Sequence, residues 1–219
     1  MAGRRDTLTS PRDHAPDIPP ILEDRARLSS RMQVDGARIV LTGADVDAAH
    51  SDISESRMAA SSLGRLDLTG ATLVDVAVDG LGAVEVVARE SRWRNVVVDG
   101  GRIGTLDALR AEWDGVTLRG LRIDYLSLPS ADVSDLLIVD CVIGTLDVPQ
   151  AALTRVRFEG SRADEVETRS LRARDVDLRG LEALAFTDVR GLAGATISER
   201  QAEQHAVALA QALGIVARD

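Results

Sequence analysis

Imidazole, thiolate and paired carboxylates carry most metal-ligand, nucleophilic and acid–base chemistry in proteins. This chain offers few of them in useful company. Its three histidines, His14, His50 and His205, are scattered, and none has a metal-ligand or nucleophile–base neighbour at a working spacing. The single cysteine, Cys141, sits at a position filled elsewhere by small and apolar residues, which makes it a small core residue rather than a reactive thiol. Gly100-Gly101-Arg102-Ile103-Gly104 superficially matches a calcium-binding β-roll, but the glycine-rich nonapeptide with aspartate does not recur. There is no phosphate-cradling glycine motif. The sequence therefore reads as a non-enzyme, with no catalytic, cofactor-binding or metal-ligating residue. What remains is charge. Between Arg122 and Arg155 there is no basic residue, while Asp124, Asp132, Asp135, Asp140 and Asp147 form an acidic belt that would attract a basic partner surface.

The elements that position these residues follow from a five-residue beat that runs from Ser51 to Ala185 in 27 units. The third residue of each unit is apolar (Ile53, Met58, Leu63 and onward to Ala183) except at Thr168. The first is Ser, Ala, Gly, Cys, Val or Leu, so the 54 first and third positions hold no charge in a chain that is 28% charged. A period of five with two inward positions is neither the 3.6 of a helix nor the 2.0 of a strand. It requires a turn in every unit. A longer period of twenty overlies it: Gly80, Gly100, Gly120, Gly160 and Gly180 form one column with Asp140 in its gap, and Val76, Val96, Val116, Leu136, Val156 and Val176 form another. Small Ala71, Ser91, Ala111 and Ala131 accompany large Leu73, Trp93, Trp113 and Val133. Four units per coil explain these columns, because residues twenty apart then stack and each stack settles on one size. The glycine column predicts corners with positive φ, which Gly adopts freely and Asp tolerates. Coils about 4.8 Å apart predict a rod about 32 Å long. Trp93 and Trp113 are expected to stack in its core.

The flanks differ. Residues 1–20 hold four prolines and many charges without periodicity, the composition of a disordered tail. Residues 21–50 read as an irregular first coil, with inward pairs Ile39/Leu41 and Ala44/Val46 and a bulge near Ala49-His50. The β-helix is expected over 51–197. Residues 198–219 read as a cap or dimerisation helix. Ser198 and Gln201 form a capping box, Ala202, Ala206, Leu209 and Leu213 make an apolar stripe, and Gly214 stops a helix over about 198–213 that docks on the last coil or on a second subunit. A homodimer through that helix is thus one expectation. All 26 basic residues are arginine, in keeping with the coding bias of a GC-rich, actinobacterium-like genome. One cysteine fits a reducing cytoplasm, and no apolar run is long enough for a membrane helix.

Units such as Leu66-Asp67-Leu68-Thr69-Gly70 and Ala131-Asp132-Val133-Ser134-Asp135 resemble the consensus of the pentapeptide-repeat proteins. Asp stands at the second position in only six units and Phe158 is the one phenylalanine at a third position. The resemblance implies an all-β solenoid, a right-handed quadrilateral parallel β-helix, here with a C-terminal α-helical cap. The best understood members of that family are DNA mimics that bind bacterial DNA gyrase, some conferring quinolone resistance, which makes gyrase a candidate partner. The charge pattern fits mimicry poorly: the net charge is −9, but outward charges are mixed on all four faces. The preferred reading is a non-catalytic interaction scaffold for another protein, without direct nucleic-acid binding. The frame itself is testable. Leu118→Asp would bury an unpaired charge mid-rod and cost several kcal/mol, a loss that thermal melting would register; an unchanged melt would reverse the inward and outward assignment.

Overall fold

The computed structural model describes residues 8–12, 15–25 and 27–218. Among these, sixteen strands join in one sheet that coils on itself, every pairing parallel. In chain order they are β1 (Glu23–Arg25), β2 (Gln33–Asp35), β3 (Ala37–Leu41), β4 (Asp45–Asp47), β5 (Asp52–Ala60), β6 (Leu63–Asp67), β7 (Thr72–Val87), β8 (Arg92–Asp107), β9 (Glu112–Ser127), β10 (Asp132–Val139), β11 (Val142–Asp147), β12 (Ala152–Glu159), β13 (Ser161–Glu167), β14 (Arg172–Asp177), β15 (Leu181–Phe186) and β16 (Ala195–Thr196). The fold is an all-parallel β-solenoid with two short C-terminal helices, as the repeat predicts.

The period of twenty is the register of this sheet. Leu73 pairs with Trp93, Trp93 with Trp113, and Trp113 with Val133. All first and third unit positions are buried except Ser61, Gly101, Leu171 and Ala173, and Leu118 is fully enclosed. The indoles of Trp93 and Trp113 stack with centroids 4.7 Å apart and planes 14° from parallel. Polar residues at inward positions bond to neighbouring backbone. Ser161 Oγ donates to Glu159 O at 2.9 Å and accepts from Cys141 N at 3.1 Å, and the Thr168 hydroxyl donates to Asp188 O. The Thr168 exception in the repeat is thereby satisfied.

Corners use the left-handed backbone region. Gly80, Gly100, Gly120, Asp140 and Gly160 all have positive φ, as expected from their column. Gly180 does not, and its glycine has another cause: a Cβ there would lie 2.0 Å from Phe158 O. A second corner is left-handed throughout at Gly36, Glu55, Asp75, Asn95, Gly115, Asp135, Arg155 and Asp175.

The first coil departs from the sequence reading. Gln33 and Arg38 pair with Asp52 and Arg57, nineteen residues on, whereas Asp45 pairs with Arg65, twenty residues on. The one-residue slip therefore falls between Leu41 and Asp45, around Gly43 with φ 113°, not at Ala49-His50. Ala44 is exposed, and the inward pair is Val46/Ala48. His50, with φ 59°, is an ordinary corner residue.

The last coil is covered by a 3-10 turn at Val189–Leu192 and two helices, α1 (Glu199–Gln204) and α2 (Ala206–Ala212). The expected capping box is present, but one continuous helix is not: the backbone bends at His205, φ −102°, ψ 14°. Nor does the apolar stripe face inward as a whole. Ala206 and Leu213 are exposed, while Gln201 and His205 are buried. The reason is the chemistry of a solenoid end, which presents unpaired carbonyls that an apolar side chain leaves unsatisfied. Gln201 Nε2 donates to Leu178 O at 2.8 Å and Leu181 O at 2.6 Å, and His205 packs edge-on against Phe186 at 4.9 Å. Gln201→Ala should cost roughly 1–3 kcal/mol and speed amide exchange in β15. Unchanged exchange there would show that the cap does not hold the end.

Candidate protein-binding surface and the N-terminal strap

Outward side chains meet across successive coils because the register is fixed. Arg65 approaches Glu85, Arg92 approaches Glu112 at 3.3 Å, Arg102 approaches Asp124 at 3.2 Å, and Arg57 approaches Asp79 at 3.4 Å. These partners lie about one coil apart. The evenly mixed charge of the sequence is thus organised as axial ion-pair ladders. Each exposed pair adds little stability, but together they neutralise carboxylates that would otherwise form anionic tracks.

The five aspartates of the belt meet different fates. Asp124 is exposed, with Arg102 and Arg122 at 3.2 and 3.7 Å. Asp132 and Asp140 are exposed. Asp147 is half-buried and accepts from Tyr125 Oη at 2.9 Å and Ser127 Oγ at 3.1 Å. Burial and the bond to Asp147 raise the pKa of that phenol. Asp135 is not at the surface at all: its side chain has no exposure. Arg155 grips it with Nε and Nη2 at 2.6 and 2.8 Å. Burial alone would raise the pKa of this carboxyl, yet the hydrogen bonds from Arg155 and Arg12 prevail and hold it well below the usual carboxylate range. The structure therefore does not gather the five into one accessible patch.

Arg12 brings in the segment that sequence reasoning missed. Residues 8–12 and 15–20, read as part of a disordered tail, lie along the left-handed corner of the rod. Thr9 N donates to Asp175 Oδ1 at 3.3 Å, Arg12 N donates to Asp135 Oδ1 at 3.0 Å, and Asp17 N donates to Asp75 Oδ1 at 3.1 Å. Arg12 Nε donates to Asp135 Oδ2 at 2.6 Å and its Nη2 reaches Asp114 Oδ1 at 2.7 Å. The lengths agree. Asp175 and Asp75 are five coils apart, about 24 Å at the usual strand spacing, within the roughly 26 Å that eight residue steps can reach at full extension. Pro11, Pro16 and Pro19 hold the strap extended by fixing φ and disfavouring helix before them. The signal in the sequence was the recurrence of short carboxylates at 75, 135 and 175, an acceptor column for a passing backbone. His14 lies outside the described residues.

Beside the strap, a groove of about 590 Å³ opens on the same face, bordered by Arg12, Arg92, Arg94, Glu112, Asp132 and Arg155. Among the described residues Arg94 and Asp132 make no ion pair. The other chemistry-bearing residues are structural. Cys141 is buried, its Sγ 3.3 Å from Val139 O, and burial raises its pKa. Among the described residues no group of three or more His, Cys, Asp or Glu is placed to hold a metal, and no helix is long and apolar enough to cross a membrane.

No family model matches the sequence, and no curated protein does. Among solved structures the chain is similar to QnrB1, a plasmid-mediated fluoroquinolone resistance protein, at 14% identity and a TM-score of 0.29, over 86% of this chain and 99% of that one. A likeness of that size carries no functional argument, and the solenoid stands on this chain's own register.

Asp135→Asn removes the charge that both arginines bind and should cost roughly 2–3 kcal/mol at neutral pH. Because the folded-state pKa is lowered, the carboxylate's contribution is complete above the unfolded value of about 3.9 and lost as pH falls through the folded one. Denaturation followed from pH 7 downward should show an acid loss in the wild type that is smaller in the variant. Parallel curves would separate Asp135 from acid stability.

Proposed function

We propose that this protein is a non-catalytic interaction scaffold, a rigid rod whose outer faces engage another protein. The observation that supports this is the continuous parallel ladder from β1 to β16, which holds every outward side chain at a fixed axial spacing. Its buried titratable groups, Cys141, Asp135 and His205, are tied into packing or ion pairs instead of converging on a cleft. Rods of this kind present extended surfaces rather than pockets. The acidic belt contributes through its exposed members, Asp124, Asp132 and Asp140. A cytoplasmic setting goes with the single buried thiol. Val207, Leu213, Ile215 and Val216 leave an exposed apolar surface at the C-terminal end, on which a second copy can dock.

The second reading is a gyrase-directed DNA mimic. It is supported by the repeat's resemblance to pentapeptide-repeat proteins and by a net charge of −9 with pI about 4.9. The ion-pair ladders weigh against it, since they interrupt a continuous anionic face. Capture from native lysate with the full chain as bait should recover one stoichiometric partner whose retention falls when Asp124 and Asp132 are reversed to Lys. A turnover activity abolished by surface mutations would overturn the scaffold reading. Retained gyrase, with altered supercoiling at micromolar protein, would favour mimicry.

A further inference from the structure

The strap is a bound peptide that happens to be covalently attached. Its hold on the rod is polar: three backbone N–H groups on Asp175, Asp135 and Asp75, and one guanidinium shared by Asp135 and Asp114. Its apolar residues Leu8, Pro11, Pro16 and Ile18 are only half-covered, and the solenoid core begins at Leu28 without them. By contrast, the acceptors are fixed in advance. Asp75, Asp135 and Asp175 stand on one corner of the rod, three and two coils apart, and Asp135 is oriented by Arg155 independently of the strap. A row of preformed acceptors, one of them buried, facing a loosely packed occupant is the arrangement of a recognition site.

We propose that this corner is a docking track for an extended, proline-interrupted segment of a partner protein bearing one arginine, with residues 8–12 and 15–19 of this chain as its resident competitor. Backbone N–H groups of such a segment bond to Asp75 and Asp175, and its arginine inserts between Asp114 and Asp135. The occupant is a partner protein rather than a second copy, because a second copy's strap would reproduce the same contacts and leave the neighbouring groove empty. Arg94 and Asp132, unpaired among the described residues, offer that groove to the partner's flanking side chains of either charge. Tethering gives the strap a high local concentration, so the track stays closed until a partner with additional contacts displaces it. The inference rests on the reading of the rod as a protein-binding surface and assigns that surface to one corner.

A labelled peptide with the sequence of residues 8–19 tests the track by fluorescence anisotropy against the full chain. Arg12→Glu lies outside the core, so circular dichroism should match the wild type, while melting falls by the lost Asp135 contact and peptide binding tightens about tenfold or more as the strap lets go. The same peptide with Glu for its arginine should lose that gain. Equal binding to wild type and Arg12→Glu, equal binding of a scrambled peptide, or no binding to either would overturn the proposal. A captured partner that the peptide fails to elute would also overturn it while leaving the scaffold reading intact. Dissociation of a dimer by the peptide in sedimentation would give the track to a second copy and overturn the assignment to a partner.

Discussion

Everything in this molecule depends on the backbone ladder that locks each coil to the next twenty residues on. The ladder satisfies the N–H and C=O groups of nearly the whole chain, and a buried backbone group left without a partner would cost as much as a lost hydrogen bond. It also stacks every residue on its equivalent in the previous coil. Size must then be conserved down a column, which is why Trp93 and Trp113 lie face to face and why Ala71, Ser91 and Ala111 share another stack. A slip of one residue would move inward side chains outward. Among the described residues such slips occur at the two ends, near Gly43 in the first coil and between Phe186 and Ala195 in the last, where the interior has a neighbour on only one full side.

The same ladder organises the surface. Opposite charges twenty residues apart become neighbours, so arginines and carboxylates alternate along the axis as pairs. The left-handed corner contributes a different consequence. Short residues that tolerate positive φ, such as Asp75, Asp135 and Asp175, are also hydrogen-bond acceptors. A backbone requirement thereby places several carboxylates along one edge, ready for a chain that crosses them. The strap and its arginine use those acceptors, and Asp135 goes further by binding two guanidiniums while shielded from water.

The ends obey the rule that strand edges must be covered. At the C-terminal end the cover is polar, since carbonyls of Leu178 and Leu181 demand a donor and Gln201 provides two N–H groups. This explains why the apolar stripe of the terminal segment was a misleading guide. Hydrophobic periodicity reports which side of a helix prefers contact, whereas the solenoid end selects for hydrogen bonding. Val207 and Leu213 are left outward as a result.

The sequence by itself determined the solenoid, its inward and outward residues, the twenty-residue stacking, the left-handed glycine corner and the capping box at Ser198. These are properties of spacing, and spacing survives in one dimension. Only the tertiary structure decided that Asp135 is buried while Asp132 is exposed, that Gly180 serves a close approach and not a turn, that the frame slips beside Gly43, and that residues 8–12 and 15–20 are seated on the rod. Arg12 and Asp135 are 123 residues apart, and no local pattern links them. Their contact exists because the coils line up acceptors at the pitch that an extended chain can follow, a match of lengths that appears only once the rod is built.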